Sequence, residues 1–335
     1  MKIIFLGTPE FGAIILEKLI ENNYKPVLVI TAPDKPVGRE QILTPPPVKI
    51  TAQKYKIPIL QPDKILEEGA RRRREGGGSG VVKSEIQNSK PDLIIVAAYG
   101  QILPKEILDI PKKGSLNIHP SLLPKYRGAS PIQYAILNGD KKTGVTIILM
   151  DEKMDRGSIL NQRALEIEED ETATTLYQKL ANLGAGLLME TIPKWMQEMI
   201  KPHPQDDAQA TYTKILTRED GRINWKKTAQ DLEQEIRAFD YWPGSFTFWQ
   251  KRDGTMVRIK ILKARVLKST GGITYPIGKT LVAPQNEICI QCRKGFLGGG
   301  GDFLVIERLQ LEGKKEMVSE EFLRGHPDFI GTILK

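Results

Sequence analysis

The sequence predicts an α/β fold in two parts, a Rossmann-like doubly wound parallel sheet followed by a small C-terminal β-barrel of the OB type. In the first 200 residues, short continuous apolar runs alternate with helical patterns, as in a parallel sheet that is covered on both faces. After about residue 208 the chain changes to short strands of alternating polarity with glycine-rich turns, which are typical of a small barrel. The predicted domains are therefore 1–200 and 213–335, joined by a polar, proline-rich linker over 201–212.

The predicted elements of the first domain follow in chain order. A strand at 2–7 precedes a helix that begins at Pro9, because Thr8 is a suitable N-cap and proline is favoured at the first helical position. Further strands are predicted at 26–31, 92–99, 115–119 and 144–150, and a helix at 130–137. A long helix is predicted at 174–200, with a kink or break at Pro193. In such a fold the ligand crevice opens at the carboxyl ends of the strands.

The second domain begins with a helix and continues with strands. The helix is predicted at 228–238, and the strands at 245–249, 256–268, 278–282, 287–292 and 303–311. In the strand 256–268 the apolar residues stand at odd positions as far as Ile261 and at even positions from Leu262. A β-bulge near 261–262 explains this change of face, because a bulge inserts one unpaired residue.

Positive charge is concentrated in the predicted barrel. The chain has a net charge of +8, and residues 251–294 contain ten lysines and arginines against Asp253 and Glu287, which is again +8. A basic strand face suits a nucleic-acid backbone, but an ordinary solvated face has the same composition, and the sequence leaves both interpretations open. The segment 67–80, with four consecutive arginines before a glycine-rich run, is predicted to be a mobile surface loop that either contacts RNA or is an inert insertion.

Composition excludes several classes of protein. The apolar fraction of 40% and the charged fraction of 27% are ordinary for a globular protein in water. No apolar run approaches the roughly 18 residues of a membrane helix, and the first apolar run is too short for a signal-peptide core, so a cytoplasmic protein without a membrane partner is expected. Cys289 and Cys292 lack the second cysteine pair of a zinc site and fall on opposite faces of a predicted strand. We therefore expect both cysteines to be structural and no metal to be bound.

An asparagine and a histidine stand together at the end of a predicted strand. In the strand 115–119, Asn117 and His119 project from one face, and His119 lies at or near the carboxyl end, where α/β folds bind ligands. Pro120 ends the strand. A histidine at a strand end is more often a hydrogen-bonded structural residue, and the other two histidines also precede prolines, so the pair alone does not establish a site.

Three motifs together resemble the signature of the folate-dependent formyltransferases. They are Asn117-x-His119, then Ser121-Leu122-Leu123-Pro124 with Gly128, then Asp155-x-Gly157. The resemblance implies that Asn117, His119 and Asp155 are the catalytic residues, and it favours Asp155 over the nearby Asp151. It also implies that 10-formyltetrahydrofolate is the co-substrate and that no metal takes part. The implied folate site is lined by Ser121, Leu122, Leu123, Pro124 and Tyr99.

Other segments extend the resemblance along nearly the whole chain, toward the branch of the family that formylates initiator methionyl-tRNA. They are FLGTPEFG, TAPDKPVGR, PPPVK, AAYGQILP, ATYTKILTREDGRINW, IRAFDYWPGSF and LEGKKEM. The last three lie in the second domain, which the purine-pathway branch of the family lacks. The resemblance and the basic strands imply tRNA contacts by Arg39, Lys214, Arg258, Lys260, Lys263 and Arg265. A monomer is expected.

Two segments depart from the family pattern. The loop after PDKPVGR is usually basic in the family, but here it carries Glu40 and Gln41, and the arginine-rich insertion is not typical. Neither departure touches the three catalytic residues. The segment GTPEFG also lacks the G-x-G-x-x-G spacing of a dinucleotide site, so the Rossmann-like pattern does not indicate a dinucleotide cofactor.

Formyl transfer is an acyl transfer, and the expected roles follow from that chemistry. His119 either takes the proton of the attacking amine or donates to the developing oxyanion, and the sequence does not separate these roles. Asn117 is expected to donate to the oxyanion, and Asp155 to orient the imidazole and stabilise its cation. Two alternative functions stay open. One is an amino-sugar-nucleotide N-formyltransferase, which GKKEM and the basic stretch disfavour, and the other is a catalytically silent RNA-binding protein with a folate-like head, which the intact trio disfavours.

Overall fold

The structure, a computed structural model, describes residues 1–38, 40–65, 79–268, 275–293 and 302–335. It divides into two compact units. Unit 1 comprises Met1–Pro131, Lys142–Glu166 and Tyr177–Lys214, and unit 2 comprises Ile132–Lys141, Ile167–Leu176 and Ile215–Lys335. Arg39 and most of the predicted arginine-rich loop lie outside the described residues. The linear domain boundaries at 200 and 212 stay a prediction.

Unit 1 is built on one large sheet. The strands of the unit are β1 (Ile3–Gly7), β2 (Leu28–Ile30), β3 (Lys35–Val37), β4 (Ile42–Thr44), β5 (Ile59–Leu60), β6 (Leu93–Ala97), β7 (Ser115–His119), β8 (Arg127–Gly128), β9 (Lys142–Leu149), β10 (Ser158–Glu166) and β11 (Tyr212–Thr213). The seven-stranded sheet has the order β10-β9-β7-β6-β1-β2-β5, while β3 pairs with β4 and β8 pairs with β11. β1 and β6 are buried along their whole length, as their continuous apolar runs predict.

One strand runs in the opposite direction from the prediction. β1, β2, β5, β6 and β7 are mutually parallel, but β9 lies antiparallel to both β7 and β10. The α/β fold class is confirmed, whereas the prediction of a parallel neighbour at 144–150 is wrong. An apolar run reports that both faces of a strand are buried, and it carries no information about the direction of that strand.

The apolar pattern does not predict several elements of unit 1. β10 is an edge strand whose middle consists of Asn161, Gln162 and Arg163, and the hairpin of β3 and β4 is exposed along its whole length. Neither element therefore shows the apolar run that reveals a buried strand.

Of the eight described helices, the first, fifth, sixth and seventh lie where the sequence predicts them, and the other four are not predicted. The helices are α1 (Glu10–Glu21), α2 (Pro47–Lys54), α3 (Ser79–Ser89), α4 (Lys105–Leu108), α5 (Pro131–Leu137), α6 (Ala173–Met196), α7 (Ala229–Ala238) and α8 (Ser319–Gly325). α1 begins one residue later than predicted, with Pro9 at its N-cap, and α6 contains Pro193 within its last turn. A Cβ at Gly184 of α6 would lie 2.9 Å from Cγ2 of Ile118, so the glycine lets this helix pack closely on β7. None of the described helices combines the length and the apolar character that a bilayer crossing requires.

Unit 2 is an antiparallel sheet that curls into a half-barrel, which confirms the predicted class of this part of the chain. Its strands are β12 (Ser245–Gln250), β13 (Met256–Leu267), β14 (Thr280–Ala283), β15 (Glu287–Gln291), β16 (Phe303–Leu311) and β17 (Glu316–Val318). Their order is β12-β13-β16-β15-β14, with β17 also paired to β16. Trp249, Phe322 and Phe329 pack edge to face in the core, with ring centroids 4.9 to 6.1 Å apart.

The register of β13 changes where the sequence predicts a bulge. Its pairing with β16 shifts between Ile261 and Lys263 and again before Ala264. Ile259 and Ile261 are buried in the same core cluster against which Ala264 packs. The predicted bulge is therefore confirmed, since the two halves of the strand present opposite parities to one core.

Both cysteines are buried and free. Cys289 and Cys292 lie in different apolar clusters, as side chains on opposite faces of a strand do. Burial raises the pKa of the Cys289 thiol to about 11 and that of Cys292 to about 12, so both thiols are neutral and unreactive at pH 7. Within the described ranges, no group of three or more His, Cys, Asp and Glu side chains could hold a metal ion.

Candidate functional site

β7 carries two of the predicted catalytic side chains into the middle of the sheet of unit 1. Ile118 packs against α6, so Asn117 and His119 project from the opposite face of the strand. Asn117 is half-buried, and His119 is 4% exposed. Burying an imidazole as deeply as that of His119 destabilises the fold unless the protein supplies hydrogen-bond partners. The partners of His119 therefore show which residues form the site.

The structure brings the three predicted catalytic residues together. Nδ2 of Asn117 donates a hydrogen bond of 3.2 Å to Oδ1 of Asp155. Nδ1 of His119 lies 3.6 Å from Oδ2 of the same carboxylate, which is longer than a hydrogen bond. Asp151, the other acidic candidate, is exposed and accepts a hydrogen bond from the main chain of Lys153 in its own turn. Asp155 is thus the carboxylate that faces the histidine, and its catalytic role stays a prediction.

Asp155 reaches His119 because the chain turns back after β9, and it does not come from the carboxyl end of a parallel strand. Leu149 at the end of β9 pairs with Leu116 near the start of β7, so β9 runs away from the histidine. The following loop returns, and Asp155 itself has a left-handed φ of +50°. A Cβ at Gly157 would lie 2.0 Å from the main-chain oxygen of Leu149, so glycine is required there. The Asp155-x-Gly157 motif therefore encodes a tight return of the chain.

The Asp155 carboxylate is held by the loop that follows β7. The main-chain N–H of Gly128 donates to Oδ2 of Asp155 at 2.8 Å, and Gly128 has a φ of +111° that favours glycine. The main-chain oxygen of Asp155 accepts a hydrogen bond of 2.8 Å from Nε2 of Gln205. The Asn117 amide is the second donor to the carboxylate, which therefore has a fixed orientation toward the imidazole.

The hydrogen bond on the far side of the imidazole fixes its tautomer. Nε2 of His119 lies 2.9 Å from the main-chain oxygen of Tyr126. A carbonyl oxygen only accepts, so Nε2 carries the proton and donates it. In the neutral ring, Nδ1 is then the unprotonated nitrogen, and it is the nitrogen that faces Asp155. The lone pair that can take a proton is therefore on the nitrogen beside the carboxylate.

A buried threonine fixes the segment that follows β7. Oγ1 of Thr146 on β9 donates to the main-chain oxygen of Ser121 at 2.7 Å and accepts from the main-chain N–H of Leu123 at 3.1 Å. Nε2 of Gln162 on β10 donates to Oγ1 of Thr146 at 2.7 Å and to the main-chain oxygen of Leu123 at 3.0 Å. These hydrogen bonds hold the main chain of the segment in one conformation beside His119, as the wall of a binding site requires.

The five predicted folate-binding residues differ in what they expose. Ser121 and Leu123 are buried, whereas Leu122 and Pro124 are partly exposed, and the Leu123–Pro124 peptide bond is cis. The ring of Tyr99 packs in an apolar cluster, and its hydroxyl has no hydrogen-bond partner among the described residues. Burial raises the pKa of Tyr99 to about 12. The Tyr99 side chain thus belongs to the core, and the folate-binding role of all five residues stays a prediction.

The predicted RNA-binding residues lie in different settings. Arg39 is outside the described residues. Lys214 ends the last segment of unit 1, where its main-chain oxygen accepts a hydrogen bond from Oγ of Ser130. In unit 2, the guanidinium carbon of Arg258 lies 3.7 Å from the ring centroid of Phe246, a stacked arrangement.

The other three basic residues of β13 differ in charge compensation. Lys260 is exposed, and no carboxylate in the part of the chain that the structure describes pairs with it. Nζ of Lys263 lies 3.0 Å from the Glu307 carboxylate. Arg265 forms ion pairs with both Glu307 and Glu287. Lys260 is therefore better placed than Lys263 or Arg265 to meet a phosphate.

Two residues that form hydrogen bonds with the loops of the site, Arg127 and Gln205, are not predicted from the sequence. Arg127 is 1% exposed, and Gln205 accepts hydrogen bonds from it while donating to the main chain of Asp155 and Gly157. Arg127 stands inside SLLPKYRG, where only its burial in the fold sets it apart from the neighbouring lysine. Gln205 stands in a polar stretch that composition predicts to be a linker.

Comparisons with known proteins show similarity over nearly the whole chain. Residues 1–192 match the family described as formyl transferase, and residues 215–327 match its C-terminal domain. The methionyl-tRNA formyltransferase of Halalkalibacterium halodurans is 41% identical over 327 residues, which cover 97% of this chain and 95% of that protein. The methionyl-tRNA formyltransferase of Caldanaerobacter subterraneus subsp. tengcongensis is 42% identical over 335 residues, with both chains covered completely.

A solved structure shows the same fold. The N-formyltransferase from Helicobacter canadensis, in complex with folinic acid and dTDP-3-aminofucose, has a TM-score of 0.64 and is 20% identical in sequence. The match covers 91% of this chain and 99% of that one. At this identity the likeness concerns the fold alone.

Two buried threonines of β9 make a matched test of the wall beside His119. Thr146→Val keeps the shape of the side chain but removes the partner of Ser121, Leu123 and Gln162. We expect the free energy of unfolding to fall by about 2–4 kcal/mol, because buried main-chain groups lose their hydrogen bonds. The measurement is urea denaturation followed by circular dichroism.

The control is Thr143→Val on the same strand. Thr143 is equally buried, and its hydroxyl has no partner among the described residues. Its replacement should leave the free energy of unfolding unchanged or raise it by up to about 1 kcal/mol. Equal losses in the two variants would contradict the assigned hydrogen bonds.

Proposed function

The chain belongs to the formyl transferase family, and we propose that it transfers a formyl group from 10-formyltetrahydrofolate to the free amino group of initiator methionyl-tRNA. The observation that carries the proposal is the meeting of Asn117, His119 and Asp155 at one face of β7. Full-length similarity to two methionyl-tRNA formyltransferases supports this acceptor. We expect the reaction to take place in the cytoplasm and the chain to act as a monomer.

The residues of the site suit a formyl donor. Asn117 uses one amide hydrogen on Asp155, so its second hydrogen is available for a carbonyl oxygen. Leu122 and Pro124 present partly exposed apolar surface on the segment beside His119. An apolar wall with a few convergent polar groups is typical of a small-molecule site. When bound, 10-formyltetrahydrofolate supplies the formyl carbon that the amine attacks.

The three side chains have complementary tasks in the proposed reaction. Asn117 donates to the formyl oxygen as negative charge develops there. Nδ1 of His119 takes the proton that the attacking amine loses, and Asp155 stabilises the resulting imidazolium. A bond forms between the amino nitrogen and the formyl carbon, the bond from that carbon to N10 of the folate breaks, and N10 gains a proton. An α-amino group has a reference pKa of about 7.7–8.0, so histidine is a base of suitable strength.

Unit 2 offers a surface for the RNA. On the face of β12 and β13 that points away from Ile259, Arg258 stacks on Phe246, which is itself 3% exposed. On the same face the guanidinium of the exposed Arg222 lies 5.4 Å from the ring centroid of the half-buried Phe248. Lys260, paired with Phe246 across the two strands, is exposed on the same face. Basic and aromatic side chains on one face are the combination that nucleic-acid-binding surfaces use. We therefore assign this face to phosphate contacts with the tRNA.

The proposed function predicts the effect of removing the imidazole or the amide. With 10-formyltetrahydrofolate and methionyl-tRNA, we expect His119→Ala to lower kcat by about 10²–10⁴-fold and Asn117→Ala by about 10²–10³-fold. His203→Ala is the control, because His203 also precedes a proline but has an exposed side chain. It should keep wild-type turnover, as measured by release of tetrahydrofolate and by formylation of the tRNA.

The choice of acceptor separates the alternative functions. The wild-type chain is assayed with methionyl-tRNA, glycinamide ribonucleotide and an amino-sugar nucleotide. We expect turnover with methionyl-tRNA only. Turnover with the sugar nucleotide alone would replace the proposed acceptor, and RNA binding without turnover by any acceptor would mean a catalytically silent protein.

The salt dependence of RNA binding distinguishes the basic residues of β13. A lysine that neutralises a phosphate contributes about 0.7–0.9 to the slope of log K against log salt concentration. We expect Lys260→Ala to reduce the slope for methionyl-tRNA by about that amount. Lys263→Ala should reduce it by less than half as much, because Glu307 already compensates its charge. Equal reductions would show that the ion pair opens on binding and would contradict this assignment.

A further inference from the structure

The segment that composition predicts as a linker is bonded to both loops of the site, and we name residues 203–213 the strap. At its start, His203 exchanges two main-chain hydrogen bonds of 2.8 and 2.9 Å with Ile159. At its end, β11 pairs in parallel with β8, which is part of the loop after β7. All of these residues belong to unit 1. The strap is thus a fixed part of unit 1.

One side chain of the strap bonds to both loops at once. Nε2 of Gln205 donates to the main-chain oxygens of Asp155 and Gly157, both at 2.8 Å. Oε1 of Gln205 accepts from Nε and Nη2 of Arg127, at 3.1 and 2.8 Å. Only an amide carries two donors and an acceptor at one end, so no other common side chain of this length makes all four bonds.

Arg127 connects Gln205 with the residues that bind His119 and Asp155. Its guanidinium is buried, and besides Gln205 it contacts Asp207 at 2.9 Å and the hydroxyl of Tyr212 at 3.3 Å, both in the strap. The residue before Arg127 supplies the main-chain oxygen that binds Nε2 of His119. The residue after it supplies the N–H that binds the Asp155 carboxylate. The position of Arg127 therefore sets the positions of both catalytic partners.

We propose that Gln205, through Arg127, is a positioning residue that sets the separation between the imidazole of His119 and the carboxylate of Asp155. It bonds to the main chain of Asp155, which has an unfavourable left-handed φ and needs an anchor to keep it. Gln205 is only half-exposed, with all four of its bonds made to the protein. The inference rests on the proposed formyl transfer and assigns Gln205 no contact with either substrate.

A double-mutant cycle in the full-length chain tests the proposal. Gln205→Met keeps the length of the side chain and removes its hydrogen bonds. We expect kcat for methionyl-tRNA formylation to fall by about 10–100-fold, because a displacement of about 1 Å in a catalytic group has an effect of this size. The KM values for both substrates should stay within about twofold. In an Asp155→Asn background, where the carboxylate is absent, the same substitution should lower kcat by less than about twofold.

Gln209→Met is the matched control. Gln209 lies in the strap too, but it is exposed and its Nε2 donates to Asp206, away from both loops. It should keep the wild-type kcat. Should Gln205→Met fail to fold by circular dichroism, Gln205→Glu replaces it in the same cycle. A carboxylate still accepts hydrogen bonds from Arg127, but it has no hydrogen to donate to the main-chain oxygens of Asp155 and Gly157 and is repelled by them.

The outcomes separate the two claims. If the wild-type chain is active and Gln205→Met lowers kcat by the same factor in both backgrounds, Gln205 has a general structural role. That result would overturn the inference and leave the proposed function in place. A change confined to KM would make Gln205 a binding residue and would overturn it as well. If the wild-type chain formylates no acceptor, the proposed function fails and the inference fails with it.

Discussion

Asp155 faces His119 only because the chain reverses direction within a few residues of β9, and the rest of the site depends on that reversal. The antiparallel strand carries the chain away from the histidine, and the loop returns through a left-handed aspartate and a glycine that no larger residue can replace. Two donors then fix the carboxylate, namely the Asn117 amide and the Gly128 N–H, and Gln205 fixes the main chain of Asp155. The Tyr126 carbonyl orients the ring from the other side, so proton uptake is directed to the nitrogen beside the carboxylate.

Much of the fold follows from apolar periodicity, and the failures have physical causes. β1 and β6 are predictable because a strand buried on both faces must be continuously apolar. The direction of β9 is not predictable, since it depends on the path of the preceding connection and not on the residues of the strand. β10 and the hairpin of β3 and β4 are missed because exposed strands have no such run. The bulge in β13 is predictable because one inserted residue changes which side chains face the core.

The candidate site is predictable to the extent that its residues share short motifs. Asn117 and His119 are two apart on a strand, so their common face follows from strand geometry. The choice of Asp155 is predicted from the resemblance to the family, because hydrophobic periodicity carries no information about where a loop returns. Contacts between side chains that are far apart in the sequence are not predictable from it. Glu307 lies far along the chain from Lys263, and Gln205 far from Arg127, yet these contacts decide which charges are free and which loops are fixed.

In the proposed reaction the formyl group lies between an amide, an imidazole and a carboxylate at the end of β7. A crystal structure with a non-transferable folate analogue, in which carbon replaces N10 and bears the formyl group, measures this most directly. We expect the formyl oxygen within about 3.2 Å of Nδ2 of Asn117, with Nδ1 of His119 facing the formyl carbon. A formyl group bound elsewhere in unit 1, out of reach of both side chains, would contradict the proposed reaction.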